Sequence, residues 1–142
     1  MTAAGAAVDA DIEARRPVWL ALSDLYLDRS CRDAVRVAAR ELARSPYSPH
    51  ELRAILFDEV HPVVARNLGV TAGVWDRFDQ DGPARSIARN RQRPRWPRWL
   101  RPRGRCQRRH AVALWRLLEP RIAGLRAATP PPRSRFDFNP GK

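Results

Sequence analysis

Residues 48–68, SPHELRAILFDEVHPVVARNL, give the strongest folding signal in the chain. Ser48 is a favourable helix N-cap, Pro49 suits the first helical turn, and Glu51 follows the cap at the spacing of a capping box. Pro62 lacks an amide donor, so a kink or break is expected in the turn before it. At 100° per residue, one broad apolar face collects Leu52, Ile55, Leu56, Phe57, Val60, Val63 and Val64. The sequence therefore predicts a helix at the centre of the fold.

Glu59 lies in the middle of that apolar face. A carboxylate is costly to bury unless it takes up a proton or finds a partner. Arg15 and Arg16 stand at the edges of the apolar face of the first predicted helix, residues 12–27, which makes them the candidate partners. We therefore predict a buried ion pair between Glu59 and Arg15 or Arg16.

Further apolar periodicities predict helices on both sides of the central one. The predicted helices cover residues 12–27, 31–44, 48–68, 71–78, 81–90 and 107–127. Pro17 is expected in the first turn of its helix or at a kink between two shorter ones, and Pro120 at a kink or restart of the last helix. We predict an all-α fold, a compact bundle of five or six short helices with an Arg/Trp/Pro-rich loop before the last one.

The two ends of the chain lack this periodicity. Residues 1–11 are small and acidic and predict a disordered N-terminus. Residues 129–142 begin with a threonine and three prolines and predict a disordered tail. Between them, residues 12–128 are expected to form a single helical domain, in which residues 89–106 are a basic loop.

Cysteine usage and the first residues favour a cytoplasmic protein. The two cysteines, Cys31 and Cys106, have no CxxC spacing, and MTAAGAAVDADIEARRP has neither the basic start nor the apolar run of a signal peptide. The longest apolar stretch, residues 18–27, is interrupted by Ser23 and Asp24 and is too short to span a bilayer. No transmembrane segment is predicted.

The net charge of +12 is unevenly distributed. Up to Gly82 there are 10 arginines against 13 acidic residues; from Pro83 onward, 16 arginines and Lys142 face only Glu119 and Asp137. Such a basic half attracts nucleic acid or another polyanion. The same arginine-rich and nearly lysine-free composition is also typical of a GC-rich genome, so the excess has a compositional explanation as well.

Residues 89–109, RNRQRPRWPRWLRPRGRCQRR, interleave arginines with tryptophans and prolines. In a polyproline II helix, Trp96 and Trp99 share one side and the arginines another, which suits phosphate contacts with base stacking or cation contacts at a membrane interface. The alternative is that the tryptophans pack on the helical core while the arginines remain solvated. The predicted polyanion-binding residues are Arg91, Arg93, Arg95, Trp96, Arg98, Trp99, Arg101, Arg103 and Arg105.

Catalytic and metal-binding patterns are weak. Asp58, Glu59 and His61 are the best catalytic set; Asp58 and His61 can meet across one helical turn, whereas Glu59 projects elsewhere. The sequence has no glycine-rich phosphate loop, nucleophile elbow or zinc-ligand spacing. Residues 79–82, DQDG, resemble the start of a calcium loop but lack its downstream ligands. We predict no enzymatic activity, no metal and no cofactor.

Three motifs carry a family resemblance: RRPVWLALSDLYLD at residues 15–28, SPYSPHELRAILFDEVHPVV at 45–64 and VWDRFDQD at 74–81. With them the sequence resembles a family of small, uncharacterised bacterial proteins described as a domain of unknown function. The resemblance covers residues 15–81 and, more loosely, 109–126. It implies a helical domain of bacterial origin and no site residues. That family has a Trp-Leu pair where this chain has Gly82-Pro83, a difference that weakens the prediction of the helix that follows.

Together these patterns favour a non-enzymatic binding module. Its basic region, residues 85–109, is expected to contact nucleic acid or another polyanion. The alternative is a protein-partner module, such as an adaptor or an immunity-type protein, that uses the tryptophan-bearing loop or the aspartates Asp76, Asp79 and Asp81. A catalytic function requires Asp58, Glu59 and His61 to converge in one pocket.

Overall fold

The computed structural model describes residues 3–27, 31–68, 81–92 and 105–129, and the surroundings of side chains within 5–26, 32–65, 81–92 and 108–129. The regular structure in these ranges is helical throughout, which confirms the predicted all-α bundle. The helices are α1 (Ala3–Leu27), α2 (Cys31–Arg44), α3 (Pro49–Ala54), α4 (His61–Leu68), α5 (Gly82–Gln92) and α6 (Arg105–Ala128). A π-helical turn, Ile55–Val60, joins α3 to α4. None of the described helices is long and apolar enough to cross a membrane.

The predicted capping box is present at the start of α3. The Ser48 hydroxyl accepts a hydrogen bond from the Glu51 amide at 3.2 Å, and the Glu51 carboxylate accepts one from the Ser48 amide at 2.7 Å. The hydrogen bonds from Ser48 hold the pKa of Glu51 below its usual range. Pro49 occupies the first helical turn, where its missing amide costs nothing. Local chemistry therefore determines where the central helix begins.

The π turn lies directly before Pro62, where the sequence predicts a kink or a break. The His61 amide donates to the Leu56 carbonyl five residues earlier, and the chain then continues as α4. In an α-helix, four residues rotate the chain by about 400°, which is about 40° more than one full turn. A π turn holds more residues per turn, so it reduces this excess rotation. This keeps four residues at four-residue spacing buried in the core: Leu52, Leu56, Val60 and Val64. The helix is thus widened without being broken.

The core lies where α1, α2 and α6 pack around the central helix. Trp19 of α1 is fully buried, and α5 adds Ile87 from the opposite side. α2 packs mainly on α6 and α1, and α1 also contacts α5 and the π turn. The predicted apolar stripe of α6 faces this core through Ala111, Leu114, Trp115, Leu118 and Ile122. α1 therefore brings its N-terminal half beside both the π turn and α5.

Arg126 of α6 caps the C-terminal end of α2. Its guanidinium donates to four backbone carbonyls in the last turn of α2 and the loop that follows, those of Leu42, Ala43, Ser45 and Tyr47, at 2.6–3.3 Å. The carbonyls in the last turn of a helix have no partner within the helix, and a basic side chain can satisfy them. Arg126 therefore fixes the turn that leads into the Ser48 cap.

The first helix starts earlier than the sequence predicts. α1 begins at Ala3, so residues 3–11 extend the helix and do not form the disordered N-terminus expected from their composition. Alanine is the best helix former, and Asp11 is bound by Arg15 and Arg91, which anchors this extension. Pro17 lies inside α1, at an exposed position where the carbonyl freed by its missing amide can face water.

The remaining boundaries also differ from those expected. α5 extends to Gln92 and α6 begins at Arg105, so both ends of the predicted basic loop are helical. α6 runs through Pro120 and ends where Thr129 donates from its amide and hydroxyl to the Leu125 carbonyl. The rest of the loop, residues 93–104, lies outside the described residues, as do the predicted helix at 71–78 and the predicted tail from residue 130 onward.

Candidate functional site

Glu59 projects from the π turn toward α1, and its side chain is 15% exposed. Arg15 Nη1 lies 3.0 Å from Oε1 and Trp19 Nε1 donates to Oε2 at 2.7 Å. From α5, Arg91 Nε lies 3.5 Å from Oε1. Both carboxylate oxygens of Glu59 are thus taken by donors from two other helices.

Asp11 completes this arrangement. Arg15 Nε donates to its Oδ1 at 3.0 Å, and Arg91 Nη1 donates to its Oδ2 at 2.9 Å. The hydrogen bonds from Arg15 and Arg91 hold the pKa of Asp11 below its usual range. Burial opposes the charge of Arg15, but its hydrogen bond to Asp11 and the charge of Glu59 raise its pKa overall. Asp11, Arg15, Glu59 and Arg91 therefore form a formally neutral charge cluster between α1, the π turn and α5.

Aromatic rings surround the charge cluster. The guanidinium of Arg15 lies 5.3 Å from the centroid of the Tyr47 ring, and that of Arg91 lies 5.8 Å from the Trp19 ring. Cations over aromatic faces are favourable at these distances, more so where water is excluded. The two arginines are therefore held by carboxylates and by rings, which is typical of a structural cluster.

Of the two predicted partners of Glu59, the structure places Arg15 on the carboxylate. Arg16 instead lies 3.2 Å from Glu13 and 2.8 Å from Asp81, which ties α1 to the residue before α5. Neighbouring residues on a helix point about 100° apart, so Arg15 and Arg16 cannot both face the π turn. The sequence analysis missed Asp11 and Arg91. The four-residue spacing of Asp11 and Arg15 would have indicated their pairing had α1 been predicted that far.

A second charged region lies on the outer side of α6. Arg108, Arg109 and Arg116 are exposed, and together with Val112 and Ala113 they line an open, shallow groove of about 450 Å³. None of the five residues that line the groove is acidic. We call the three exposed arginines the basic face of α6.

Phe57 connects the basic face to the helix before the π turn. The guanidinium of Arg53 lies 4.8 Å from the centroid of its ring, and that of Arg108 lies 5.7 Å from the same centroid. Both arginines are exposed and Phe57 is half-buried. The positively charged surface thus continues from α6 onto α3.

Three aromatic side chains meet beside this surface, one each from α1, α4 and α6. The Tyr26 hydroxyl lies 2.9 Å from Nδ1 of His61, and the His110 ring packs edge-on against Tyr26 at 5.2 Å between centroids. Burial, followed by the charges of His110 and Arg108, lowers the pKa of His61. Burial also raises the pKa of Tyr26, so its hydroxyl keeps its proton. We call these three residues the histidine–tyrosine cluster.

Comparison with known families identifies the chain. A family model described as a domain of unknown function, DUF7079, matches residues 13–121, well over half of the 142 residues. The chain belongs to the DUF7079 family. This confirms the resemblance to a domain of unknown function that the motifs of α1 and the central helix indicate. No curated protein and no solved structure matches the chain.

The matched part of the DUF7079 domain includes most of the charge cluster and all of the basic face. It contains Arg15, Glu59 and Arg91 of the charge cluster and the whole basic face, whereas Asp11 and Arg126 lie outside residues 13–121. The family description assigns no activity. The roles of these residues therefore have to be argued from the geometry of this chain.

In the part of the chain that the structure describes, no hydrogen bond or ion pair joins Asp58, Glu59 and His61, the best catalytic set that the sequence offers. Glu59 is bound within the charge cluster, His61 is bound to Tyr26, and Asp58 is exposed. Among the residues that the structure describes, no group of three histidines, cysteines or acidic residues is placed to hold a metal ion. Asp81, one of the aspartates predicted for a protein partner, is bound to Arg16, and Asp76 and Asp79 lie outside the described residues.

The predicted polyanion-binding set lies mostly beyond the described part of the DUF7079 domain. Arg91 lies on α5, where its guanidinium meets Asp11 and Glu59, so its charge is already compensated within the protein. Arg105 is described only as the first residue of α6. Outside the described residues are Arg93, Arg95, Trp96, Arg98, Trp99, Arg101 and Arg103. Arg108 and Arg109 of the basic face lie within the predicted basic region, residues 85–109, whereas Arg116 lies beyond it.

Proposed function

We propose that this domain is a non-enzymatic binding module for nucleic acid and that the basic face of α6 contacts the phosphates. The observation that carries the proposal is the environment of Arg108, Arg109 and Arg116, which line an exposed groove with no acidic residue among its lining. Guanidinium groups in such a setting bind phosphate by charge and by paired hydrogen bonds. The three arginines of the basic face are thus available to an external anion.

The distribution of charge along the chain supports the proposal. From Pro83 to the end, 17 basic residues face two acidic ones, and five of them lie at 93–103, in the connection that leads into α6. Charges of one sign concentrated in this way raise the rate and affinity of polyanion binding well beyond the contacting residues. The basic face is therefore the described part of a longer basic stretch.

The dimensions of the groove also support an extended anion. Arg108 and Arg116 are eight residues apart on one helix, a distance of about 12 Å along its axis. Val112 and Ala113 lie between them and leave the groove shallow and open. A linear polyanion that lies along α6 can contact all three arginines, whereas a single small anion cannot.

The absence of a catalytic role is part of the proposal. Glu59 has both oxygens bound by Arg15 and Trp19 and a side chain that is only 15% exposed, which limits its access to a substrate. His61 is bound to Tyr26 on a different side of the π turn. These contacts support a module that binds without chemical change.

Fluorescence anisotropy with a labelled single strand of about 20 thymidines, repeated with RNA and duplex DNA, tests the proposal. We expect binding at low salt, with the logarithm of the association constant falling with the logarithm of salt concentration. Replacement of Arg108, Arg109 and Arg116 with glutamine should make the slope shallower by about 2, because a single strand contributes about 0.7 per neutralised phosphate.

The matched control replaces three exposed arginines of α2, Arg32, Arg36 and Arg40, with glutamine. This variant loses the same total charge from another face, so it should keep most of the affinity and the slope. Absence of binding to every nucleic acid at low salt contradicts the proposed function. Equal losses in the two variants contradict the assignment to α6.

A further inference from the structure

We propose that the histidine–tyrosine cluster is a second phosphate-contacting part of the same binding face, and that nucleic acid binds there together with a proton. This inference rests on the proposed function of the basic face. It adds His61 and His110 to the binding residues and makes the ligand a phosphate chain that crosses from α6 toward α4.

The first argument is position. Arg108 contacts the ring of Phe57 on one side, and its charge acts on His61 on the other. His110 follows Arg108 and Arg109 on the same helix, is exposed, and packs against Tyr26. The histidine–tyrosine cluster therefore adjoins the N-terminal end of the basic face.

The second argument is the partner that holds His61. The Tyr26 hydroxyl is both a donor and an acceptor. It donates to Nδ1 of a neutral His61, and it accepts from Nδ1 when His61 is protonated, so the 2.9 Å contact persists in both states. His61 can therefore gain a proton without loss of the hydrogen bond that positions it.

The third argument is electrostatic. Among the described residues, the groups that act on His61 are Tyr26 from α1 together with His110 and Arg108 from α6, and the last two disfavour a charged imidazole. Burial acts in the same direction, so the free domain keeps His61 neutral near pH 7. An anion placed beside Arg108 offsets the positive potential and favours the charged imidazole. Binding and proton uptake are then coupled, and each strengthens the other.

Affinity for the labelled single strand, measured from pH 8.0 to pH 5.5 at constant ionic strength, tests this inference. Phosphodiesters stay ionised throughout this range, so changes in affinity report on the protein. The wild-type chain should bind more tightly at pH 5.5, by about fivefold when the imidazole of His61 becomes charged beside a phosphate. Calorimetry in two buffers of different ionisation enthalpy should detect proton uptake on binding.

His61→Gln is the principal variant, because the proposed proton resides on His61. It should bind like the wild type at pH 8.0 and lose the gain at pH 5.5. His110→Gln, at an exposed position where the replacement leaves the core intact, tests the contact of the second histidine and should weaken binding. His50→Gln, at the exposed start of α3, is the matched control and should keep the full pH dependence.

The outcomes separate the two proposals. Binding that is equally tight at all pH values, with no proton uptake, overturns the role of the histidines and leaves the basic face as the binding site. A pH dependence that His50→Gln removes as fully as His61→Gln also overturns it. Absence of binding at every pH overturns the proposed function itself.

Discussion

Arginine side chains meet opposite surroundings in two regions of this domain. In the charge cluster, Arg15 and Arg91 each contact both Asp11 and Glu59. On the basic face of α6, three arginines line an open groove without an acidic neighbour in its lining. The net charge of +12 counts all of these arginines alike, yet only those without internal partners are available to a ligand.

The two regions also differ in energetics. Removal of charges from water is costly, so a partly buried cluster is stable only when each charge is paired and hydrogen-bonded. The charge cluster meets that condition with two cations, two carboxylates and the Trp19 donor. The basic face remains hydrated and carries charges of one sign, which contribute little to stability. Substitutions should therefore affect folding in the first region and binding in the second.

The largest effect is expected from Glu59→Gln. The amide has one acceptor oxygen where the carboxylate has two, and Arg15 loses the compensating charge, so the free energy of unfolding should fall by about 2 kcal/mol. Urea denaturation followed by circular dichroism measures it. Glu13→Gln on α1 removes an exposed partner of Arg16 and should change stability by less than about 0.5 kcal/mol. Similar values for the two variants would show that the cluster is not structural.

A smaller effect is expected within α6 itself. Arg126→Ala removes hydrogen bonds to four carbonyls and should lower the free energy of unfolding by about 1.5 kcal/mol, whereas Arg116→Ala on the basic face should leave it nearly unchanged. Arg126→Lys should be intermediate, since an ammonium group lacks the planar fork of donors. Thermal or urea unfolding of the three variants checks this order. An equal loss of stability for Arg116→Ala would contradict the view that only arginines with partners inside the protein stabilise the fold.

The smallest effect is expected on the stability of the domain at acidic pH. Because the pKa of Asp11 is lowered in the folded domain, the unfolded chain binds a proton there at a higher pH. The stabilisation from Asp11 is therefore complete above the unfolded pKa of about 4 and is lost as the pH falls through the folded value. Asp11 is 44% exposed, so solvent screens the effect. Between pH 5 and pH 2.5, the free energy of unfolding of Asp11→Asn should fall less steeply than that of the wild type. Identical pH profiles of the two proteins would show that Asp11 does not stabilise the cluster.

Sequence reasoning succeeded where the determinants are local. The capping box depends on residues three apart, and the apolar face of the central helix on a repeating pattern within one segment. The extended start of α1 was missed because an exposed alanine-rich helix has no apolar periodicity. The role of Arg91 was missed for a different reason: it meets Asp11 across 80 residues of sequence, and only the packing of α5 on α1 brings them together.

The partners of Glu59 were predicted only in part. Its position on an apolar face predicted a buried partner, and the partner in the structure includes Arg15. The guanidinium of Arg91 was not predicted as a partner, because Arg91 was assigned to the polyanion-binding set from its neighbours in sequence. The indole of Trp19 was not predicted as a partner either. A buried indole nitrogen needs an acceptor, and that requirement was the available clue to Trp19.

The π turn has a consequence for changes in chain length. A hydrogen bond to the fifth preceding residue encloses one residue more than an α-helical bond does, so Ile55–Val60 are equivalent to an α-helix with a single-residue insertion. Deletion of one residue from this turn should therefore restore an ordinary α-helix, in which Val64 stays within about 20° of Leu52 around the helix axis. Within the DUF7079 family we therefore expect members one residue shorter in this turn to keep the buried face of the central helix, whereas a second deletion would rotate Val64 away from the core by about 100°.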